Sequence, residues 1–201
     1  MNSGTGAAKR RLTRDDILPL AEYAAIRRER RRQISDLKKR RRIEVGPFAT
    51  FYFENYETMW QQVQEMLYIE KGGDEQVEDE LAAYNPLIPQ GRELVATIMF
   101  EIDDPLRRAS VLARLGGIEN HVFLEIGGAR IPGESDPTRE NTSADGKASA
   151  VQFVRFPFSD AQVAEFRRPG ARLLAGFDHP NYGHLAVFSE AVRETLAGDF
   201  D

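Results

Sequence analysis

Apolar side chains at Tyr56, Met59, Trp60, Val63, Met66 and Leu67 recur at the spacing that lines one side of an α-helix. Between and beyond them stand Gln61, Gln62, Gln64, Glu65, Tyr68 and Glu70, an unusually polar remainder. The pattern predicts a helix capped by Asn55 and closed by Gly72–Gly73. Upstream, Ile26, Ile34 and Leu37 fall at helical spacing among charges. They predict a mostly helical stretch from Leu20 to Arg42, with Pro19 at the first position and a break near Arg28. A further helix from Asp74 to Tyr84 stops at Asn85–Pro86, because the residue before proline disfavours helical backbone.

Period-two alternation takes over around these helices. Strands are predicted over 43–55, with Gly46–Pro47 marking a bulge or late start, and over 93–102, 121–127, 149–158, 172–178 and 184–188. Asp104–Pro105 opens a helix to Leu115. Ser159 and Gln162 form a capping-box pattern, and Ser189 opens a terminal helix. Residues 132–148, with few apolar groups and many turn formers, read as an exposed loop, and a loop of that length can also act as a lid. The order strand, helix, glycine, strand occurs in 93–127 and again in 149–178, a weak repeat. The elements predict an α+β fold: one compact domain, mainly an antiparallel sheet with helices packed on one face. The expected organisation is a disordered tail over 1–12, a basic helical arm over 13–42 packed on the domain, and the α+β domain over 43–201.

Composition narrows the chemistry. At 41% hydrophobic, a chain of 201 residues can bury one sizeable core. No run approaches the ~18–20 apolar residues of a membrane helix. The start, MNSGTGAAKRR, lacks a signal-peptide core, so a cytoplasmic protein without a membrane partner is expected. With no cysteine, disulfides, thiolate nucleophiles, Cys-ligated zinc and self-held iron–sulfur clusters are excluded.

Charge is polarised. Between Lys9 and Arg42 stand 14 Lys and Arg against 5 acidic residues, or +9, leaving −14 for the rest of a chain totalling −5. RRERRR at 27–32 and KKRRR at 38–42 invite a nucleic-acid reading. The interleaved apolar positions, the absence of any recognition motif and the acidic remainder disfavour it. A docking face for an acidic protein, or for this chain's own acidic part, follows better from the same charges.

The blocks LTRDDILPLAEYAAIR at 12–27, KKRRRIEVGPFATFYFEN at 38–55, QVQEMLYIE at 62–70 and ELAAYNPLIPQGRELVATIMFE at 80–101 resemble domain-of-unknown-function family 3501. ARLGGIENHVFLEIGG at 113–128, SAVQFVRFP at 149–157 and DHPNY at 178–182 continue the resemblance in order. The family has no assigned activity. Its members are often encoded beside a rubrerythrin-like protein and an iron–sulfur oxidoreductase, so the resemblance implies partners of those kinds in peroxide or redox housekeeping.

Two constellations are candidate sites. Gln61, Gln64, Glu65 and Tyr68 lie at i, i+3, i+4 and i+7 and share a stripe. With Tyr84 and Asn85 of the AYNPLIP stretch they form the expected partner- or ligand-binding surface. The second is the turn DHPNYGH, where Asp178, His179 and His184 could bind a divalent metal and carry a small enzyme's chemistry, with Glu101 as a further carboxylate. Against this, the spacing matches no standard ligand motif, and a structural Asp–His hydrogen bond, or His179–Pro180 shaping the turn, explains the residues better. The Glu-x-x-His pairs of di-iron bundles are absent. No phosphate loop, dinucleotide fingerprint or nucleophile elbow occurs. The sequence therefore favours an accessory protein acting by contact, with no cofactor of its own, over an enzyme.

Overall fold

A computed structural model of the chain describes residues 9–201. After a short 3-10 turn at Arg14–Asp16, helix α1 runs Leu20–Lys39 without the expected break, with Pro19 just outside it. The hairpin β1 (Arg42–Val45) and β2 (Ala49–Phe53) replaces the single strand expected over 43–55. Gly46 makes the turn at φ +70°, and a Cβ there would lie 2.6 Å from the His184 ring, so both backbone and packing demand glycine. Asn55 caps helix α2 (Tyr56–Glu70), its side chain accepting from Thr58 N at 3.0 Å. Lys71 in the left-handed conformation closes α2 ahead of the expected glycines. Helix α3 (Gly73–Tyr84) runs into a 3-10 turn at Asn85–Leu87.

The rest follows as β3 (Glu93–Phe100), α4 (Pro105–Leu112), β4 (Val122–Ile126), β5 (Ala129–Pro132), β6 (Glu134–Ser135), β7 (Val151–Pro157), α5 (Asp160–Arg167), β8 (Leu173–His179), β9 (Tyr182–Val187) and α6 (Glu190–Ala197). Asp104, Ser159 and Ser189 cap α4, α5 and α6, each accepting from the backbone N–H at the third helical position.

The fold is α+β with antiparallel pairing throughout the named strands, arranged as two sheets rather than one. A five-stranded sheet has the order β1-β2-β3-β7-β6, and a four-stranded sheet the order β5-β4-β8-β9. Alternation along β2, β3 and β7 divides the first sheet's side chains. Phe51, Leu94, Ala96, Ile98, Val154 and Phe156 face the second sheet in the main core, where Phe51 meets Phe177 edge-on at 5.3 Å. Val95 and Phe153, on the opposite face, pack against Met59, Trp60, Val63 and Leu67 of α2 and Leu81 of α3. The first sheet is thus the middle layer between a second sheet and the α1–α2–α3 layer.

The weak sequence repeat has a spatial counterpart. β3–α4–β4 and β7–α5–β8 each cross from the first sheet to the second, β3 pairs with β7, and β4 pairs with β8.

Of the disordered tail expected over 1–12, residues 1–8 lie outside the described residues, and 9–12 are corrected. Leu12 is fully buried, and Arg10 donates to the carbonyls of Pro89 (3.0 Å) and Asp199 (2.7 Å). Arg41 and Asp199, both buried, form an ion pair that ties the end of the basic stretch to the C-terminal segment.

Candidate docking surface

The polar stripe of α2 is not an outer face. Helical periodicity sets Glu57, Gln61, Gln64 and Tyr68 along one arc, and α1 covers that arc. Gln61 Nε2 donates to the Tyr23 hydroxyl, and Tyr23 OH donates to Glu65 Oε1 at 2.5 Å. Arg27 grips Glu65 with Nε at 2.9 Å and Nη2 at 2.8 Å, and its guanidinium lies 4.5 Å over the Tyr68 ring. Arg30 pairs with Glu57 at 2.7 Å and covers the Trp60 ring at 4.7 Å. The Arg27 guanidinium holds the Glu65 carboxyl below its ordinary range, against the opposing effect of burial. Burial first, then the adjacent Glu65 carboxylate, pushes the Tyr23 hydroxyl up.

Gln61 is 6% exposed and Gln64 0% exposed. The expectation that Gln61, Gln64 and Glu65 offer an open contact surface is therefore corrected: they form the seam between the basic arm and the domain. The physical cause is charge. The arm's cations meet the acids of α2, and ordinary amphipathic reasoning, which sends polar residues to water, fails where a second helix is itself polar. The seam is imperfectly satisfied. Gln61 Oε1, Arg30 Nε and both amide atoms of Gln64 are buried without a protein partner.

Only the inner cations of α1 are consumed in this way. Arg28 and Arg31 are exposed and have no acidic partner within ion-pair distance among the described residues. With Ala24, Arg27, Arg32 and the edge of Tyr68 they line a shallow open groove along α1.

Tyr84 and Asn85 also turn inward. Asn85 Oδ1 accepts from Leu12 N at 2.7 Å while its Nδ2 donates to Leu12 O at 3.0 Å, so this side chain pairs with the N-terminal segment as a strand neighbour would. Tyr84 OH accepts from Gln62 at 3.4 Å. The following Pro86 and Leu87 wall a cavity of about 260 Å³ with Phe153 and residues 134–137 of the loop. Arg139 of that loop arches over the Phe153 ring at 4.4 Å and donates to Ala83 O at 3.3 Å.

The histidines assemble differently from the sequence expectation. Strand alternation turns Asp178 outward and His179 inward. Asp178 is held by His121 Nδ1 at 2.9 Å and Arg130 Nη1 at 2.7 Å, which together keep its carboxyl below the usual range, His121 contributing most. His179 is buried, its Nε2 directed at Gly116 O (3.3 Å) and its Nδ1 accepting from Asn181 N (3.2 Å). His184 packs on the Tyr182 ring at 4.6 Å. The proposed Asp178, His179 and His184 set is not brought together, and no three His, Asp or Glu side chains among the described residues group to hold a metal ion. The Glu101 carboxylate is engaged by other residues, accepting from Thr50 Oγ1 at 2.7 Å and Tyr52 OH at 2.9 Å. His121 and Arg130 are the residues that sequence reasoning missed. A signal for His121 was present: laying the two copies of the weak repeat over one another, Asp103 on Ser159, sets His121 opposite Phe177, one residue short of Asp178 and two short of His179.

No helix among the described residues is long and apolar enough to cross a membrane. A search of curated proteins finds no match. Among solved structures the chain is similar to a novel protein of unknown function from Burkholderia pseudomallei K96243, at 40% identity and a TM-score of 0.87, covering 94% of this chain and 99% of that one. The profile of the family described as "Protein of unknown function (DUF3501)" matches residues 11–200. The match spans the arm, both sheets and the C-terminal helix, and this chain belongs to the DUF3501 family.

Proposed function

We propose that this protein is an accessory protein without catalysis of its own, which docks an acidic protein partner on the outer face of α1. One observation carries the reading. The α1 cations Arg27 and Arg30 are paired with Glu65 and Glu57 of α2, whereas Arg28 and Arg31, on the exposed flank of the same seam, make no ion pair among the described residues and lie beside Tyr68. Unpaired arginines flanked by an aromatic edge suit bidentate capture of carboxylates and stacking, which is how arginine contributes at protein interfaces. The acidic remainder of the chain repels phosphate polymers, so a compact acidic protein fits better than nucleic acid. The partners that the family resemblance implies, a rubrerythrin-like protein and an iron–sulfur oxidoreductase, are the first to try.

The test is calorimetric titration of this protein with each purified partner at ~0.05 M and ~0.3 M salt, where screening lengths differ about twofold. Arg28→Glu with Arg31→Glu should weaken binding about tenfold or more at low salt and flatten its salt dependence. Binding that ignores this reversal, or no binding to either partner, overturns the proposal. Salt-sensitive binding to a DNA duplex that the variant loses would replace it with the nucleic-acid reading.

A further inference from the structure

The second sheet ends in β9, whose inner side chains pack against the β1–β2 hairpin, Tyr182 OH donating to Val45 O at 2.8 Å, and whose outer side chains face solvent. β9 is the last strand in the order β5-β4-β8-β9. Phe188 N donates to Leu173 O at 3.0 Å, which puts that rung in hydrogen-bonded register with β8. Bonded and non-bonded rungs alternate in an antiparallel ladder, so Gly183, Leu185 and Val187 aim their main-chain N–H and C=O groups away from β8. The side chains of Leu185 and Val187 are 60% and 59% exposed.

The other sheet edges are protected in the usual way. β1 carries Arg42 and Glu44, β6 carries Glu134, and β5 carries Arg130 and Pro132. β9, reading YGHLAV, has neither a formal charge nor a proline. Charges and prolines at an edge block strand addition, and a flat apolar edge without them is a template for it.

We infer that β9 pairs antiparallel with β9 of a second copy of this chain, joining two four-stranded sheets into one across a two-fold axis at Leu185. Three features select this occupant. A neutral strand meets no like-charge repulsion in its own copy. The two-fold register puts Leu185 opposite Leu185, covering both exposed side chains. It also sets Val187 opposite Gly183, where an added Cβ would meet only the His179 carbonyl oxygen at 3.9 Å, so open space receives the valine. In this register every outward N–H and C=O of the strand finds a partner, and the interface is isologous, as closed dimers require. The surface lies on the second sheet, away from the α1 groove, and does not depend on the docking proposal.

Sedimentation velocity of the intact chain over ~1–200 µM is expected to show a concentration-dependent dimer. Leu185→Lys and, separately, Val187→Lys put a charge on the edge and should each raise the dimer Kd by about tenfold or more. Both side chains are exposed, so far-ultraviolet circular dichroism should stay unchanged. Leu106→Lys, on the exposed face of α4, should leave the dimer intact. Amide exchange at Gly183, Leu185 and Val187 should slow as concentration rises. A wild-type monomer across this range, or a dimer that both lysine variants retain, overturns the inference. So does a monomer that instead binds an extended peptide of another protein along β9.

Discussion

Gln64→Leu should stabilise this protein, against the rule that core substitutions destabilise. The Gln64 side chain is 0% exposed at the centre of the α1–α2 seam, and neither Nε2 nor Oε1 has a protein partner. Burying an amide without hydrogen bonds costs about 1–3 kcal/mol by protein mutational data. Leucine has nearly the same length and volume, so it removes that cost without opening a cavity, and volume-conserving exchanges strain a core little. It is also a better helix former than glutamine or close to it. The expected gain is about 1–3 kcal/mol, which for a domain of 150–250 residues raises Tm by roughly 2–4 °C per kcal/mol. Urea unfolding followed by Trp60 fluorescence reports it directly, because Trp60 sits in the same seam under Arg30. The midpoint should rise with the slope unchanged. A loss above about 1 kcal/mol would refute the reasoning, for it would mean that the amide is fully bonded through buried water.

Other perturbations test neighbouring contacts. Trp60→Ala removes a side chain 9% exposed whose Nε1 donates to Asp16 O at 2.7 Å, and should cost about 3–5 kcal/mol; a native tryptophan freely quenched by iodide would refute its placement. Glu65 should make the seam acid-sensitive. Its folded-state pKa lies below the ordinary 4.5, so its stabilisation is complete above that value and is lost as pH falls through the depressed one. Glu65→Gln should flatten that acid limb in urea midpoints measured from pH 6 down to 3, and an unchanged limb would count against the Arg27–Glu65 pair. Asn85→Ala severs two bonds to Leu12 and should cost about 1–3 kcal/mol, with faster amide exchange at Leu12 as the direct readout. His179→Gln keeps a donor and an acceptor, so it should leave partner binding unchanged, and a loss of binding would move attention to the histidine cluster.

Local chemistry was legible in the chain itself. Asn55, Asp104, Ser159 and Ser189 cap the helices that the sequence assigns to them, and the alternation of 93–100 and 151–157 appears as paired strands. Capping and pleating act within a few residues, so spacing suffices to find them. The repeat was legible for the same reason, as two copies of one local order, although their crossing between sheets was not. The family was carried by ordered blocks of residues, and the profile match over 11–200 bears it out.

The tertiary structure decided which faces meet. Sequence periodicity locates the polar arc of α2, but only the docked α1 reveals that Arg27 and Tyr23 take Glu65 out of solvent. A polar arc looks the same whether water or a complementary helix lies against it, because both satisfy its hydrogen bonds. Likewise the turn at 178–184 places three candidate ligands near one another in sequence, yet strand alternation sends Asp178 outward to His121 and Arg130 and His179 inward. Pairing between β4 and β8 is a long-range contact, set by the closure of a core that buries both sheets, and no local spacing encodes it.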